Sequence, residues 1–201
     1  SGAIGAKVVS RALRLFRGTN RVLMEHTGSI YKETLVKKSG LGIIELLAEV
    51  VRKKEFSSAP SRLESSFWAP SRKLARGFAE MGGISTEPGT GAYLNTVKIH
   101  SPFLADFKYL SYAINNLSQI NKSRISNFFD SMMLKISPMR FLERKPEALK
   151  QIRNYWSGVS LEHAKANPLS TEALLPGFTK PEAIWKLEKQ VKRDETRIRS
   201  I

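Results

Sequence analysis

Apolar residues recur at helical intervals along residues 41–56, where Ile43, Ile44, Leu47, Val50 and Val51 fall on one face and Ser39-Gly40 breaks the pattern before them. The spacing predicts an amphipathic helix. Upstream, residues 8–16 read as a short helix or linker running into a strand, with Leu13, Leu15 and Phe16 leading to Arg17-Gly18-Thr19. The glycine predicts a backbone turn at the end of that strand. Residues 57–62 are loop-like in composition, and Glu64-Ser65-Ser66-Phe67-Trp68 has the aromatic weight of a short strand. Ser71 stands where an N-cap would, before a helix over 72–81 whose inward face is Leu74, Ala75, Phe78 and Ala79.

Beyond a Gly-rich loop at 81–91, residues 92–99 alternate imperfectly and predict a half-buried strand, stopped by Ser101-Pro102. Residues 105–156 have a different texture. Leu110, Ile114, Leu117, Ile120, Ile125, Phe128, Phe129, Met132 and Met133 recur at roughly helical intervals, which predicts two or three helices. Pro138 and Pro146 break them, and the last spans 147–156. Phe78, Phe128 and Phe129 read as core. A strand over 171–175, a Pro176-Gly177 turn and a strand or helix over 181–191 follow, before a charged, frayed end. The order of elements predicts an α+β fold: one domain over residues 3–201, with 105–160 as a helical insertion.

Composition narrows the function. No apolar run approaches the roughly 20 residues of a membrane-spanning helix, since even residues 41–51 contain Glu45 and Glu49. Ser1-Gly2 reads as the remnant of a cleaved tag, with no leader pattern after it. With no cysteine, disulfides, thiolate nucleophiles and Cys-based zinc sites are excluded. Thirty-three Lys and Arg against eighteen Asp and Glu give a formal charge of +15, which favours an acidic partner such as RNA, DNA, an anionic cofactor or an acidic inhibitor protein. The first 78 residues carry fifteen of the basic residues and six of the acidic ones, so no single tail explains the excess.

Three segments offer chemistry: Leu15-Phe16-Arg17-Gly18-Thr19, then Glu64-Ser65-Ser66-Phe67-Trp68 with the helix after it, then Ser170-Thr171-Glu172-Ala173-Leu174-Leu175-Pro176-Gly177. In this order and context they resemble the Arg, Ser and Glu signature of the ADP-ribosyltransferase superfamily, especially toxin domains at the C-termini of bacterial polymorphic secreted toxins. The resemblance covers the ends of the chain and residues 60–99. It implies a split, mostly antiparallel core holding NAD as co-substrate in a cleft, with no metal, in a secreted or delivered effector acting in the cytoplasm of a target cell.

The chemistry has its own logic. Cleaving the nicotinamide–ribose bond builds positive charge on the sugar, which a fixed carboxylate stabilises more than it stabilises the ground state. Glu172 is the candidate, and the resemblance adds a hydrogen bond to the ribose 2′-hydroxyl. A guanidinium at a strand end suits capture of a pyrophosphate or ribose edge, which makes Arg17 the NAD anchor. The resemblance gives Gly18 backbone contact with the nicotinamide amide and places Thr19 beside it. It makes Ser66, with Ser65 close behind, the hydroxyl that orients Glu172. Here Ser-Ser-Phe-Trp replaces the usual Ser-Thr-Ser, so the register of the motif stays open; Phe67 or Trp68 either stacks on nicotinamide or fills the core. Members that modify protein arginine carry a second glutamate two residues before the catalytic one. This chain has Ser170 there, which with the +15 charge turns the expected acceptor from protein toward structured RNA. A cognate immunity protein would be acidic.

Plainer readings exist for each residue: Arg17 as a surface strand arginine, Glu172 as a solvated edge glutamate, Ser65 and Ser66 as ordinary strand residues. Two rival functions also fit the charge. His26, His100 and His163 allow a metal-independent ribonuclease in which a histidine takes the 2′-hydroxyl proton and a lysine or second histidine serves the leaving group. A non-catalytic RNA-binding module would bind in a salt-sensitive way.

Overall fold

The computed structural model describes residues 12–21, 42–81, 90–117, 137–177, 179–187 and 198–200. His26, Ile120, Ile125, Phe128, Phe129, Met132, Met133 and most of the Gly-rich loop lie outside them. The described chain is α+β, and it divides into two compact units that interleave in sequence. The first comprises Ser1–Met24, Trp68–Pro102 and Lys180–Ile201; the second comprises Glu25–Phe67 and Phe103–Thr179.

The first unit is built on a sheet ordered β1-β3-β6-β7, with β1 at Ala12–Arg21, β3 at Thr90–His100, β6 at Ala183–Leu187 and β7 at Ile198–Ser200. Neighbouring strands are antiparallel, and the register pairs Leu15 with Val97, Arg17 with Asn95 and Asn95 with Ile184. Strand β3 is interior to the sheet, so residues 91–97 are buried on both faces, where the sequence pattern predicts a half-buried strand. The chain end is also more regular than its charge suggests, since residues 198–200 pair with β6.

Helix α2 (Arg72–Met81) packs on this sheet, with Ser71 Oγ capping it by accepting the Leu74 amide at 3.1 Å. Ala75 and Ala79 are buried with Ala69, Ala92, Leu94 and Leu187, and Phe16, Leu74 and Trp185 pack around them. Phe78 is 56% exposed, against the inward place the pattern predicts. Gly18 explains the difference. It lies inside β1, not at a turn, and a β-carbon there would stand 2.0 Å from the Ala75 carbonyl oxygen and 2.5 Å from the Ala79 nitrogen. The missing side chain lets α2 approach the strand closely through its alanines, which narrows the buried stripe and leaves Phe78 outside it.

The second unit holds most of a sheet ordered β2-β5-β4, with β2 at Ser65–Trp68, of which Trp68 is counted in the first unit, β4 at Phe103–Asp106 and β5 at Thr171–Pro176. β4 and β5 are antiparallel, and Ala105 faces Glu172 across the pair. Its helices are α1 (Gly42–Glu55), α3 (Lys108–Leu117), α4 (Pro138–Glu143), α5 (Pro146–Trp156) and α6 (Leu161–Ala166). Pro138 and Pro146 each open a helix at a position where the missing N–H costs nothing. Ile44, Leu47, Ala48 and Val51 of α1 join Leu110, Ala113, Leu142, Ile152, Tyr155 and Trp156 in one core with Ala105 and Leu174. Helices α3, α4 and α5 therefore share a core with α1, β4 and β5. Trp156 locks α5 to α1 by donating its Nε1–H to the Ala48 carbonyl at 2.8 Å.

Candidate functional site

Helix α1 carries two charged residues into its buried face. Glu45 and Glu49 are each 7% exposed, one helical turn apart. Glu49 receives Arg52 (Nε to Oε2 3.0 Å, Nη2 to Oε1 2.6 Å) and the Ser61 hydroxyl at 2.9 Å, while Arg52 Nη1 donates to the Ala59 carbonyl at 3.0 Å. These bonds pin the turn between α1 and β2. Ser61 then caps the short 3-10 helix Arg62–Glu64, accepting the Leu63 amide at 3.2 Å.

Arg62 is thereby placed in the interior, 3% exposed, where composition alone predicts loop. Glu45 takes its fork in two parallel bonds of 2.9 Å, from Nε to Oε2 and from Nη2 to Oε1. The remaining Nη1 donates to the Tyr155 hydroxyl at 2.5 Å and to Glu172 Oε1. Rings close around the cation: Phe67 at 4.5 Å, Tyr155 at 5.2 Å and Phe107 at 5.6 Å from the guanidinium carbon. Burial alone would lower the Arg62 pKa, but Glu172, Tyr155 and Glu45 outweigh it and hold the group firmly protonated. Burial pushes the Tyr155 pKa well up, so the phenol keeps its proton and donates it to Glu172 Oε1 at 2.6 Å.

Glu172 is thus the more accessible end of a buried chain of charge, its side chain 16% exposed. Oε1 takes both donors, and Oε2 has no hydrogen-bond partner among the described residues. Ser66 and Ser65 are buried on β2. The Ser66 hydroxyl donates to the Leu175 carbonyl at 3.3 Å and the Ser65 hydroxyl to the Ser61 carbonyl at 2.5 Å. The groups that hold Oε1 are Arg62 and Tyr155, which the sequence reading does not single out. One signal for them is present in the chain: two glutamates flanking the apolar stripe of α1 need basic partners wherever that stripe is buried.

In the first unit, Arg17 is 7% exposed inside β1, and its Nη1 is buried without a hydrogen-bond partner among the described residues. Burial pushes its pKa down. Asn95, its cross-strand partner, donates Nδ2 to the Arg17 carbonyl at 3.0 Å and to Thr19 Oγ1 at 2.9 Å. These bonds fix the amide orientation and leave Asn95 Oδ1 buried, on the same face of the sheet, with no partner among the described residues. Trp68 is 1% exposed, and so fills the interior instead of presenting a ring to solvent. Arg17, Gly18, Thr19 and Trp68 belong to the first unit, and Ser65, Ser66, Phe67 and Glu172 to the second.

No family model, curated protein or solved structure matches this chain. The residues themselves carry the functional reading. Among the described residues, no helix is long and apolar enough to cross a membrane.

Of the histidines, His100 is an exposed residue at the end of β3, and His163 sits in α6. The fully buried Asp106 carboxylate can only accept, so His163 Nε2 carries the hydrogen of their 2.6 Å bond. Lys108 adds its amide to Oδ1 at 3.0 Å and its Nζ at 3.5 Å from Oδ2. Burial opposes ionisation of Asp106, but the bonds from His163, the Lys108 amide and Ser170 outweigh it and hold the carboxyl below its usual range. A carboxyl depressed on folding adds stability above its unfolded pKa, and that stability is lost as pH falls through the folded one. Asp106→Asn is therefore expected to lower the urea midpoint at neutral pH. It should also flatten its fall as pH drops below about 4. An acid limb identical to that of the parent protein would remove Asp106 as its source.

Proposed function

We propose that this chain transfers ADP-ribose from NAD to a macromolecular acceptor, as a toxin domain of the ADP-ribosyltransferase type. The observation that carries the reading is Glu172: a carboxylate on a strand, held through one oxygen by two buried donors, with the other oxygen unpaired among the described residues on a partly exposed side chain. Such a group stabilises positive charge on a ribose without reorganising as the charge develops. In the reaction, the bond between C1′ and the nicotinamide nitrogen breaks with its electron pair going to nicotinamide. The acceptor's nucleophile bonds to C1′ and gives up its proton to solvent.

Two further features support it. The described strands form two separate sheets, a division in keeping with the split core that the resemblance implies. Arg17 also keeps a buried donor unpaired among the described residues, which a phosphate or ribose oxygen of NAD would satisfy. Arg17→Ala is expected to weaken NAD binding by about ten-fold, the scale of one lost charge-assisted hydrogen bond. Calorimetry that finds the affinity unchanged would take Arg17 out of the site.

The acceptor is RNA ahead of protein, on the strength of Ser170 two residues before Glu172 and of the +15 charge. The same charge fits an acidic immunity protein, and the domain works as a delivered effector in the cytoplasm of a target cell. A second reading rests on the His163–Asp106 pair with Lys108 beside it, a histidine and a lysine around one buried carboxylate, as a metal-independent ribonuclease would employ. The simplest work for that pair is to tie α6 to β4. Cofactor dependence separates the two, because a ribonuclease cuts RNA with no NAD present.

A further inference from the structure

We propose that Tyr155 and Arg62 are the positioning residues of Glu172: together they occupy Oε1 and leave Oε2 as the single oxygen offered to the ribose. The inference rests on the transferase reading and adds to it the groups that set the carboxylate's geometry.

The argument begins with how Arg62 spends its donors. Glu45 already takes Nε and Nη2 in a bidentate pair, so the charge of Arg62 has a full-geometry partner without Glu172. Nη1 is left over, and it is turned to Glu172 and to the Tyr155 hydroxyl. A second carboxylate on a buried guanidinium that is already paired is not needed for charge balance. It is a means of fixing that carboxylate.

Tyr155 completes the arrangement. Its hydroxyl accepts from Arg62 and donates to Glu172 at 2.6 Å, so Oε1 is bound from two directions and the carboxylate plane cannot rotate without breaking a bond. The phenol keeps its proton at any working pH, so the donor is permanent. Each support is itself held. Tyr155 and its neighbour Trp156 are buried in α5 with rings 5.0 Å apart, edge to face, and Arg62 lies over Phe67. Across the β4–β5 pair, Ala105 puts only a methyl group beside Glu172, which leaves that position uncrowded. A reacting carboxylate performs best when the groups around it are locked in this way.

Tyr155→Phe removes one hydroxyl and keeps the ring, so a thermal transition close to that of the parent protein is expected. Nicotinamide release from NAD, in the presence of total RNA and cell lysate, should then show kcat lowered about ten-fold with KM for NAD changed less than two-fold. In a Glu172→Gln background the same substitution should cost almost nothing more, because there is no carboxylate left to position. Arg62→Lys, which keeps the charge and loses the fork, should show the same split between kcat and KM. Unchanged kcat in Tyr155→Phe, or a full ten-fold loss on top of Glu172→Gln, would overturn the positioning role and leave the transferase standing. A parent protein that releases no nicotinamide would instead remove the transferase reading beneath it.

Discussion

Glu172→Gln is expected to lower ADP-ribose transfer by about two to three orders of magnitude, the scale of losing one dedicated electrostatic group in a transition state. The substitution is close to isosteric, and the new amide oxygen still accepts from Arg62 and Tyr155, so the fold should persist. What disappears is the negative charge at Oε2. NAD affinity should change little, since the charge being stabilised exists only as the glycosidic bond breaks, so the loss should fall in kcat. Single-turnover rates with labelled NAD, set beside calorimetric affinities, separate the two effects. Transfer within a few-fold of the parent rate would exclude Glu172 as the reacting carboxylate.

Arg62→Met carries the largest expected effect on stability, a loss of about 3–5 kcal/mol. Glu45 and Glu172 would keep their burial and lose their counter-charge, and removing one partner of a buried pair costs far more than the intact pair contributes. Methionine is flexible enough to fill most of the space beside Phe67 and Tyr155, so the loss reflects charge more than a cavity. Adding Glu45→Gln to Arg62→Met should cost less than the sum of the two single changes, because one stranded charge is removed with its partner. Urea midpoints for the three variants test this. A loss below about 1 kcal/mol for Arg62→Met would mean that the carboxylates find compensation elsewhere.

The elements legible in the sequence are those whose pattern was local. Helix α1 shows in the spacing of Ile44, Leu47 and Val51, and α2 in the Ser71 cap. Strand β5 ends near the predicted Pro176-Gly177 turn, where Gly177 adopts φ +69°. Features that depend on distant partners were not legible. Gly18 reads as a turn because its actual constraint, the backbone of α2, lies more than fifty residues away. Residues 198–200 read as frayed because a three-residue strand has no pattern until β6 pairs with it. β4 is likewise hidden, four residues at the start of a helical stretch.

The candidate site divides in the same way. Glu172 and Arg17 stand out by motif, since each sits beside distinctive neighbours in the chain. Arg62 and Tyr155 reach Glu172 from 110 and 17 residues away, and only the fold connects them. Glu45 was visible as a charge within an apolar face, but its partner was not, because Arg62 sits in a stretch whose composition is that of a loop. Trp68 shows the converse: an aromatic residue beside the serine motif suggests a stacking surface until its burial is known.

The most direct test of the central claim is to incubate the purified protein with NAD labelled in the ADP-ribose portion, total RNA and a cell lysate, then separate nucleic acid from protein and locate the label. The account predicts label in RNA, absent with Glu172→Gln. RNA degraded without NAD, and no label transferred to either fraction, would contradict it.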